Sequence, residues 1–404
     1  MLSVEEARKR ILTAIAPMPP EQIGLSQGLG RVLAEDIASR RTQPPTDVSA
    51  MDGYAVRAAD VANVPVTLNI AGHAPAGGAH DNALAPGEAV RIFTGGPVPD
   101  GADAIVIQED TDSDGDTVTV KESSPTGHYI RPAGLDFRTG DIILKAGDVL
   151  TARNVGMAAA MNVPWLSVRR KPRIAILATG DEIVMPGDPV GPNQIVSSNS
   201  LALAAMIEAS GAEPILLGIA PDESNELSAM AAAAHGADML VTTGGASVGD
   251  HDLIQTVLRK DGLEIDFWKI AMRPGKPLIF GDIKGTPLLG LPGNPVSTLV
   301  CGIIFLIPAL RKMLGHSESE VTRETAALGV DLGKNDQRED YLRARLSRDD
   351  NGARVATPFS KQDSSMLSRL VQADCLVVRP PHAPALKTGS IVEILPMPNG
   401  LTRI

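Results

Sequence analysis

The chain has 404 residues, 43% of them hydrophobic, with a formal net charge of -11. At ~100–200 residues per domain, that length implies several domains with real cores. The acidic balance excludes wholesale nucleic-acid binding, so any anion site must be a local basic cluster.

The first stretch, MLSVEEARKRILTAIA, places Leu2, Val4, Ala7, Ile11 and Ile15 at helical spacing. Its acids precede its basic residues, which is not the layout of a signal peptide. Residues 1–40 read as largely helical. Short alternating or apolar runs then fill residues 66–150: VTLNIAG, AVRIF, ADAIVIQ, TVTVKE and GDIILKAGDVL. Turn signals such as PAGGA, TGGPVPDGA and SDGD separate them, so this region is expected to be β-rich. Thr151 is placed to cap a helix over ARNVGMAAAMN, and SVRRKPR, residues 167–173, reads as a linker.

From there the pattern alternates. RIAILAT, EPILLGIA, ADMLVTTGG, PLIFGDI and TPLLGLPG read as strands. SNSLALAAMIEASG, ESNELSAMAAAAHG and DHDLIQTVLRKDG read as helices, and Asn294 to Leu314 is mostly helix. This predicts a doubly wound, mainly parallel α/β domain over residues 172–316. The most apolar run, Leu299 to Leu310, contains Pro308 and is too short to span a bilayer, so a buried helix and no membrane are expected. The tail, 322–404, returns to short strands (ALGVDL, YLRARLS, ARVATP, CLVVRP, SIVEILP), suggesting a small β-barrel or sandwich. The two cysteines, Cys301 and Cys375, lie in apolar runs. Buried, reduced thiols are expected, in keeping with a reducing, cytoplasmic location.

Open parallel sheets bind ligands at the carboxyl ends of their strands. Four segments therefore become candidates. ATGDEI, residues 178–183, carries Asp181 and Glu182 beyond a glycine turn, against the plain reading of a solvated turn. APDE, residues 220–223, offers Asp222, whose plain reading is a helix cap. In TTGGASVGDHD, residues 242–252, Gly244, Gly245 and Gly249 let backbone N–H groups approach an anion, and Ser247 adds a hydroxyl. Asp250 and Asp252 close that loop; they could cap the next helix, yet Mg²⁺ needs only one or two carboxylates plus phosphate oxygens of a ligand. In GLPGNPVS, residues 290–297, Pro292, Gly293, Asn294, Pro295 and Ser297 make a rigid, donor-rich helix start suited to a pyrophosphate or oxyanion. Between these loops, FWKIAMRPGKPLIF concentrates Lys269, Arg273 and Lys276, either a solvated basic turn or an oxyanion clamp. The β-rich region adds Asp52 in PPTDVSAMDGYAV, Thr94 in RIFTGGPVPDGAD and Asp136 in GLDFRTGD. In the tail, Arg343 and QDSSMLSR, Gln362 to Arg369, are candidates to reach the crevice, against a plain surface loop.

Taken in order, SAMDGYA, RIFTGGPVPDGAD, RPAGLDFRTGD, ATGDE, TTGGASVGDHD, FWKIAMRPGKP and GLPGNPVS resemble the MoeA molybdopterin molybdenumtransferases, relatives of gephyrin, over nearly the whole chain. The chain departs from the family pattern at Asp250, where Glu is common, and at Arg273, where Lys is common. The resemblance implies an elongated helical or linking domain (1–40 and 141–171), an inserted β-rich arm (41–140), a MogA/MoaB-like doubly wound α/β domain (172–318) and a C-terminal β-barrel (319–404). It implies a homodimer with a composite site, in which the arm residues Asp52, Thr94 and Asp136 of one subunit meet the α/β domain of the other. It also implies contact with the molybdopterin-adenylating protein and with molybdoenzyme chaperones. The implied reaction takes adenylated molybdopterin and molybdate, cleaves the pyrophosphate linkage, inserts molybdenum and releases AMP.

In that scheme Gly244, Gly245, Ser247 and Gly249 cradle phosphate, and Asp222, Asp252, Glu182 and Asp250 hold Mg²⁺. Lys269, Arg273 and Lys276 attract molybdate, while Pro292, Gly293, Asn294, Pro295 and Ser297 shape the pterin-phosphate pocket. Two other readings stand beside it. A CinA-type nucleotide pyrophosphatase would leave the arm motifs unused, and a non-catalytic carrier or scaffold would not need to keep Asp222 and Asp252.

Overall fold

Along Arg173–Thr179 apolar side chains alternate between two covered faces, and that alternation organises the larger part of the molecule. The computed structural model describes residues 1–244, 253–318, 320 and 322–397. The chain divides into a unit of Met1–Glu35, Ala146–Arg153 and Leu166–Ile404 and a unit of Asp36–Lys145 and Asn154–Trp165.

In the first unit, β1 (Arg173–Thr179), β2 (Glu213–Ala220), β3 (Met239–Thr243), β4 (Leu263–Trp268), β5 (Ile279–Ile283) and β6 (Thr286–Leu291) form one six-stranded sheet, ordered β2-β1-β3-β6-β5-β4. The first four strands are parallel, and β5 and β4 complete the sheet antiparallel. Ile174, Ile176, Met239, Val241, Leu289 and Leu291 enter one core cluster; Ala175, Leu177, Leu240 and Leu288 enter the other. This period-two division requires helices on both faces, as parallel sheets generally have. Asn199–Ala209 and Pro295–Met313 cover one face, and Ser224–Ala232 and Leu253–Lys260 contribute to the other. Strand β4, which runs into the basic segment, was not read from the sequence. It is an edge strand with exposed Glu264 and Asp266, so its apolar signal is thin.

Val4–Ala14 is the expected amphipathic helix, with Ser3 Oγ accepting from Glu6 N–H at 3.1 Å and Val4, Ala7 and Ile11 buried. The helical expectation for the rest of residues 1–40 fails. Pro17, Pro19 and Pro20 remove donors that a helix needs, and a short strand Pro20–Gly24 follows. Pro295–Met313 is also longer than the apolar run suggested. Its 19 residues are long and apolar enough to cross a membrane by length and composition, but 83% of that window is buried inside the fold. A π-helical turn at Gly302–Leu306 carries the helix past Pro308.

The tail is a barrel. β7 (Glu324–Leu328), β8 (Glu339–Arg348), β9 (Arg354–Pro358), β10 (Cys375–Arg379) and β11 (Ile391–Pro396) follow one another as β8-β9-β7-β11-β10, and β10 pairs back to β8. Tyr341, Leu376, Val378 and Leu395 of this barrel belong to the same core cluster as one face of the α/β sheet.

The second unit carries a six-stranded sheet ordered Ala104–Ile107, Gly53–Val56, Glu88–Ile92, Val66–Ala74, Thr117–Val120, Thr111–Ser113. Small strand pairs extend it, Val48–Ser49 with Ile130–Arg131 and Ile37–Ala38 with Ile142–Leu144.

Both cysteines are free and buried, and burial pushes their thiols up, Cys375 to about 12. Neither should react with a thiol reagent at pH 8 in the folded protein, and both should react in denaturant. Rapid labelling of the native protein would contradict the burial.

Candidate functional site

The register of the parallel strands brings the candidate loops together. Thr179 pairs with Ala220, Ala178 with Thr243 and Thr243 with Leu291, so four strands end level. The loops ATGDEI, APDE and LPGNPVS, and the chain at Thr243–Gly244, therefore leave the same edge of the sheet. The chain runs from β1 to β2 on one side and then to β3 on the other, so β1 and β3 flank a switch point. Gly244 sits there with φ 90°, and a Cβ on it would lie 2.3 Å from the Thr179 carbonyl oxygen. Only glycine lets β3 leave the sheet along this path.

The acidic side of the edge holds Asp181, Glu182 and Asp222. The Asp222 N–H donates to Asp181 Oδ1 at 3.0 Å. Desolvation, and then the Asp181 and Glu182 charges, push the Asp222 carboxyl above its usual range. Burial is the larger part of that push, and the nearby carboxylates add to it; a hard divalent cation would relieve the repulsion among them. Among the described residues, no three His, Cys, Asp or Glu side chains already form a metal-ligating group. Gly245, Ser247, Gly249, Asp250 and Asp252, the rest of the expected loop, lie outside the described residues.

The basic side resolves into two kinds of cation. Arg273 was expected to present its fork to an oxyanion, and the fork is already occupied. Nε donates to Asp340 Oδ1 at 2.7 Å, Nη2 also meets Asp340 Oδ2, and Nη1 donates to Asp336 Oδ2 at 3.1 Å. Asp340 is 4% exposed, and a buried carboxylate requires such a partner. Met272–Arg273 pairs in parallel with Glu339–Asp340, which aligns the fork with its acids. Arg273 thus ties the basic loop to the barrel. Lys269 and Lys276 are half-buried and form no ion pair among the described residues. The Lys269 ammonium lies over the Trp268 ring, 3.8 Å from its centroid.

At the helix start, Asn294 does not cap with its own side chain. Its Nδ2 donates to Ser364 Oγ at 3.0 Å, and the Val296 N–H donates to the Ser364 carbonyl at 3.1 Å. These donors, expected to face an oxyanion, hold the barrel segment instead. Pro292 and Gly293 are fixed by their carbonyls, which accept from Thr243 Oγ1 at 3.3 Å and from Asn199 Nδ2 at 2.7 Å. Pro295 opens the helix, and Ser297 is buried. Gln362–Met366 is a partly exposed loop, as the plain reading has it, but one pinned by hydrogen bonds. Gln362 Oε1 accepts from the Arg343 N–H at 3.0 Å, its Nε2 donates to the Arg343 carbonyl at 2.9 Å, and Ser364 lies against Asn294. Arg343 is fully buried; its Nη2 donates to the Asp363 carbonyl at 3.1 Å, while Nε and Nη1 have no partner among the described residues.

In the second unit, Gly53 pairs with Ile92, so the chain just before one strand meets the chain just after the other. Asp52 Oδ1 accepts from Thr94 N–H at 2.7 Å and from Thr94 Oγ1 at 2.8 Å. The Thr94 N–H, then its hydroxyl, hold the Asp52 carboxyl below the usual range and keep it ionised. Asp136 lines a separate cleft of about 820 Å³ with Gly95, Pro97 and Arg131.

Sequence reasoning passed over Asn199, whose Nδ2 also donates to Thr243 Oγ1 at 3.0 Å and so links two loops. It also passed over Asp336 and Asp340, although the acid-rich NDQRED ahead of an apolar strand is a visible signal.

Similarity to known proteins covers the chain. Residues 2–162 match the description "MoeA N-terminal region (domain I and II)", residues 175–312 "Probable molybdopterin binding domain" and residues 325–397 "MoeA C-terminal region (domain IV)". Over 400 residues the chain is 34% identical to the molybdopterin molybdenumtransferase of Haemophilus influenzae, covering 98% of both. Over 411 residues it is 35% identical to that of Nostoc sp., covering 98% of this chain and 94% of the relative. A crystal structure of the molybdopterin biosynthesis MoeA protein from Pyrococcus horikosii matches with a TM-score of 0.87 at 32% identity, covering 99% of this chain and 100% of that one.

Arg273→Ala leaves Asp340 buried without its cation and should cost about 2 kcal/mol, read by denaturant unfolding; Arg273→Lys, which cannot fork, should cost about half that. Asp222 carries a raised carboxyl pKa, so its ionisation opposes folding as pH rises through that value. Asp222→Asn should therefore raise the melting temperature of metal-free protein at pH 7 by about 1–2 °C, and the gain should vanish below pH ~3.5. A gain that persists in acid would remove the electrostatic cause.

Proposed function

The chain belongs to the MoeA family, and on that premise we propose that it inserts molybdenum from molybdate into adenylated molybdopterin and releases AMP. One observation carries the reading: acids, Gly244 and lysines with no ion pair among the described residues stand at one sheet edge. The substrates explain that mixture. A phosphoryl linkage and a metal oxyanion are both anionic, so one requires a cation brought by the acids and the other requires cations from the protein.

In this reading Lys269 and Lys276 attract molybdate, with the buried, incompletely partnered Arg343 behind the Ser364 segment. Backbone at Gly244 and the following residues cradles phosphate oxygens. Asp222 and Glu182, with Asp250 and Asp252, would hold Mg²⁺, and the upward push on Asp222 suits that role. When bound, the ion neutralises charge on the phosphoryl group. The protein's own work is positioning and electrostatic: orienting the pyrophosphate linkage and holding the oxyanion beside it. The sulfurs that take up molybdenum belong to the pterin, so two buried cysteines are no obstacle.

We place the enzyme in the cytoplasm as a homodimer, the arm of one subunit completing the site of the other. Similarity over 98% of both chains includes the arm and barrel, which a nucleotide pyrophosphatase reading leaves unused. Retained acids and free lysines argue against a scaffold that has lost its chemistry.

Purified protein given adenylated molybdopterin and Mg²⁺ should release AMP only when molybdate is added. Binding without release would favour a carrier. Asp52→Ala and Asp252→Ala should each be inactive, and refolding an equal mixture should restore roughly a quarter of wild-type activity, because half the dimers carry one intact composite site. No restoration would place Asp52 and Asp252 in one subunit's site.

A further inference from the structure

Neighbouring side chains in an extended strand point to opposite faces and do not meet. Trp268 and Lys269 depart from this at the end of β4. Lys269 has φ 80°, in the left-handed region that L residues rarely occupy. Its N–H is held by the Leu278 carbonyl at 3.2 Å. The turned backbone lays the Lys269 ammonium on the Trp268 face, 3.8 Å from the ring centroid, and leaves the indole 39% exposed.

Another cation of this loop is held differently. Arg273 is fixed by Asp340 and Asp336, which fix it and cancel its charge together. An indole face also fixes a cation, through its quadrupole, but it carries no net charge and cancels nothing. Among the described residues Lys269 has no carboxylate partner. We infer that Trp268 is a positioning residue: it holds the Lys269 ammonium in place for a tetrahedral oxyanion while leaving its positive charge uncompensated. This rests on the molybdenumtransferase reading of the same site.

Trp268→Leu should raise the KM for molybdate about tenfold, with kcat at saturating molybdate within about twofold and the KM for adenylated molybdopterin unchanged. Trp268→Phe, which keeps a ring face, should recover most of the loss. In a Lys269→Met background, Trp268→Leu should add nothing, because its effect passes through the ammonium. An unchanged molybdate KM, or full additivity with Lys269→Met, overturns the inference.

A binding readout separates it from the reaction. Trp165→Phe leaves Trp268 as the single tryptophan. Titration with molybdate in the absence of adenylated molybdopterin should shift its emission as the ammonium turns to the anion, and Lys269→Met should abolish the shift. A flat titration overturns the inference. A responsive titration in a protein that never releases AMP keeps it and removes the transferase reading.

Discussion

Level strand ends are the constraint on which the rest of the molecule depends. Because Thr179 pairs with Ala220, and Thr243 with Ala178 and Leu291, four loops of unrelated sequence must share one space. The crowding has an electrostatic cost, visible at Asp222, whose neighbours Asp181 and Glu182 make its ionisation harder. It also has a steric cost, visible at Gly244, where no side chain fits beside Thr179. A fold without a ligand to accommodate could relieve both by staggering its strands. Here the sheet keeps the strain, and the Asn199, Thr243 and Pro292 hydrogen bonds lock the loops around it.

The barrel acts on this edge as a source of counter-charge and of fixed donors. Its Asp336 and Asp340 take Arg273 out of the pool of available cations, and its Ser364 takes up the donors at the start of the long helix. Lys269, on an aromatic face, and Lys276 form no ion pair among the described residues. Cations close in sequence therefore stand in opposite electrostatic settings. One is neutralised and joins two parts of a fold; the others have no carboxylate partner among the described residues.

Much of this was legible in the chain. The period-two strands of the α/β region and the glycine loops came from local chemistry, because apolar alternation and turn residues act over a few positions. The ordered motifs identified the family. Three features were not legible. Strand β4 was masked by Glu264 and Asp266 on an edge. The end of the first helix was set by Pro17, Pro19 and Pro20, which outweighed its helical neighbours. The fate of Arg273 was decided by acids more than sixty positions away, and no local pattern carries that information. A fork-shaped cation is equally suited to substrate and to a buried carboxylate, so composition alone cannot divide the two.

The core shared by the α/β sheet and the barrel has a consequence for inheritance. Family descriptions separate residues 175–312 from 325–397, yet Tyr341, Leu376, Val378 and Leu395 pack with Val300, Phe305 and Leu310 in one cluster. The barrel is therefore not an exchangeable module. Transplanting it between relatives at that boundary would bring two surfaces together that had not diverged in step. Recombination that preserves the protein must carry the buried face of the long helix along with the barrel that covers it.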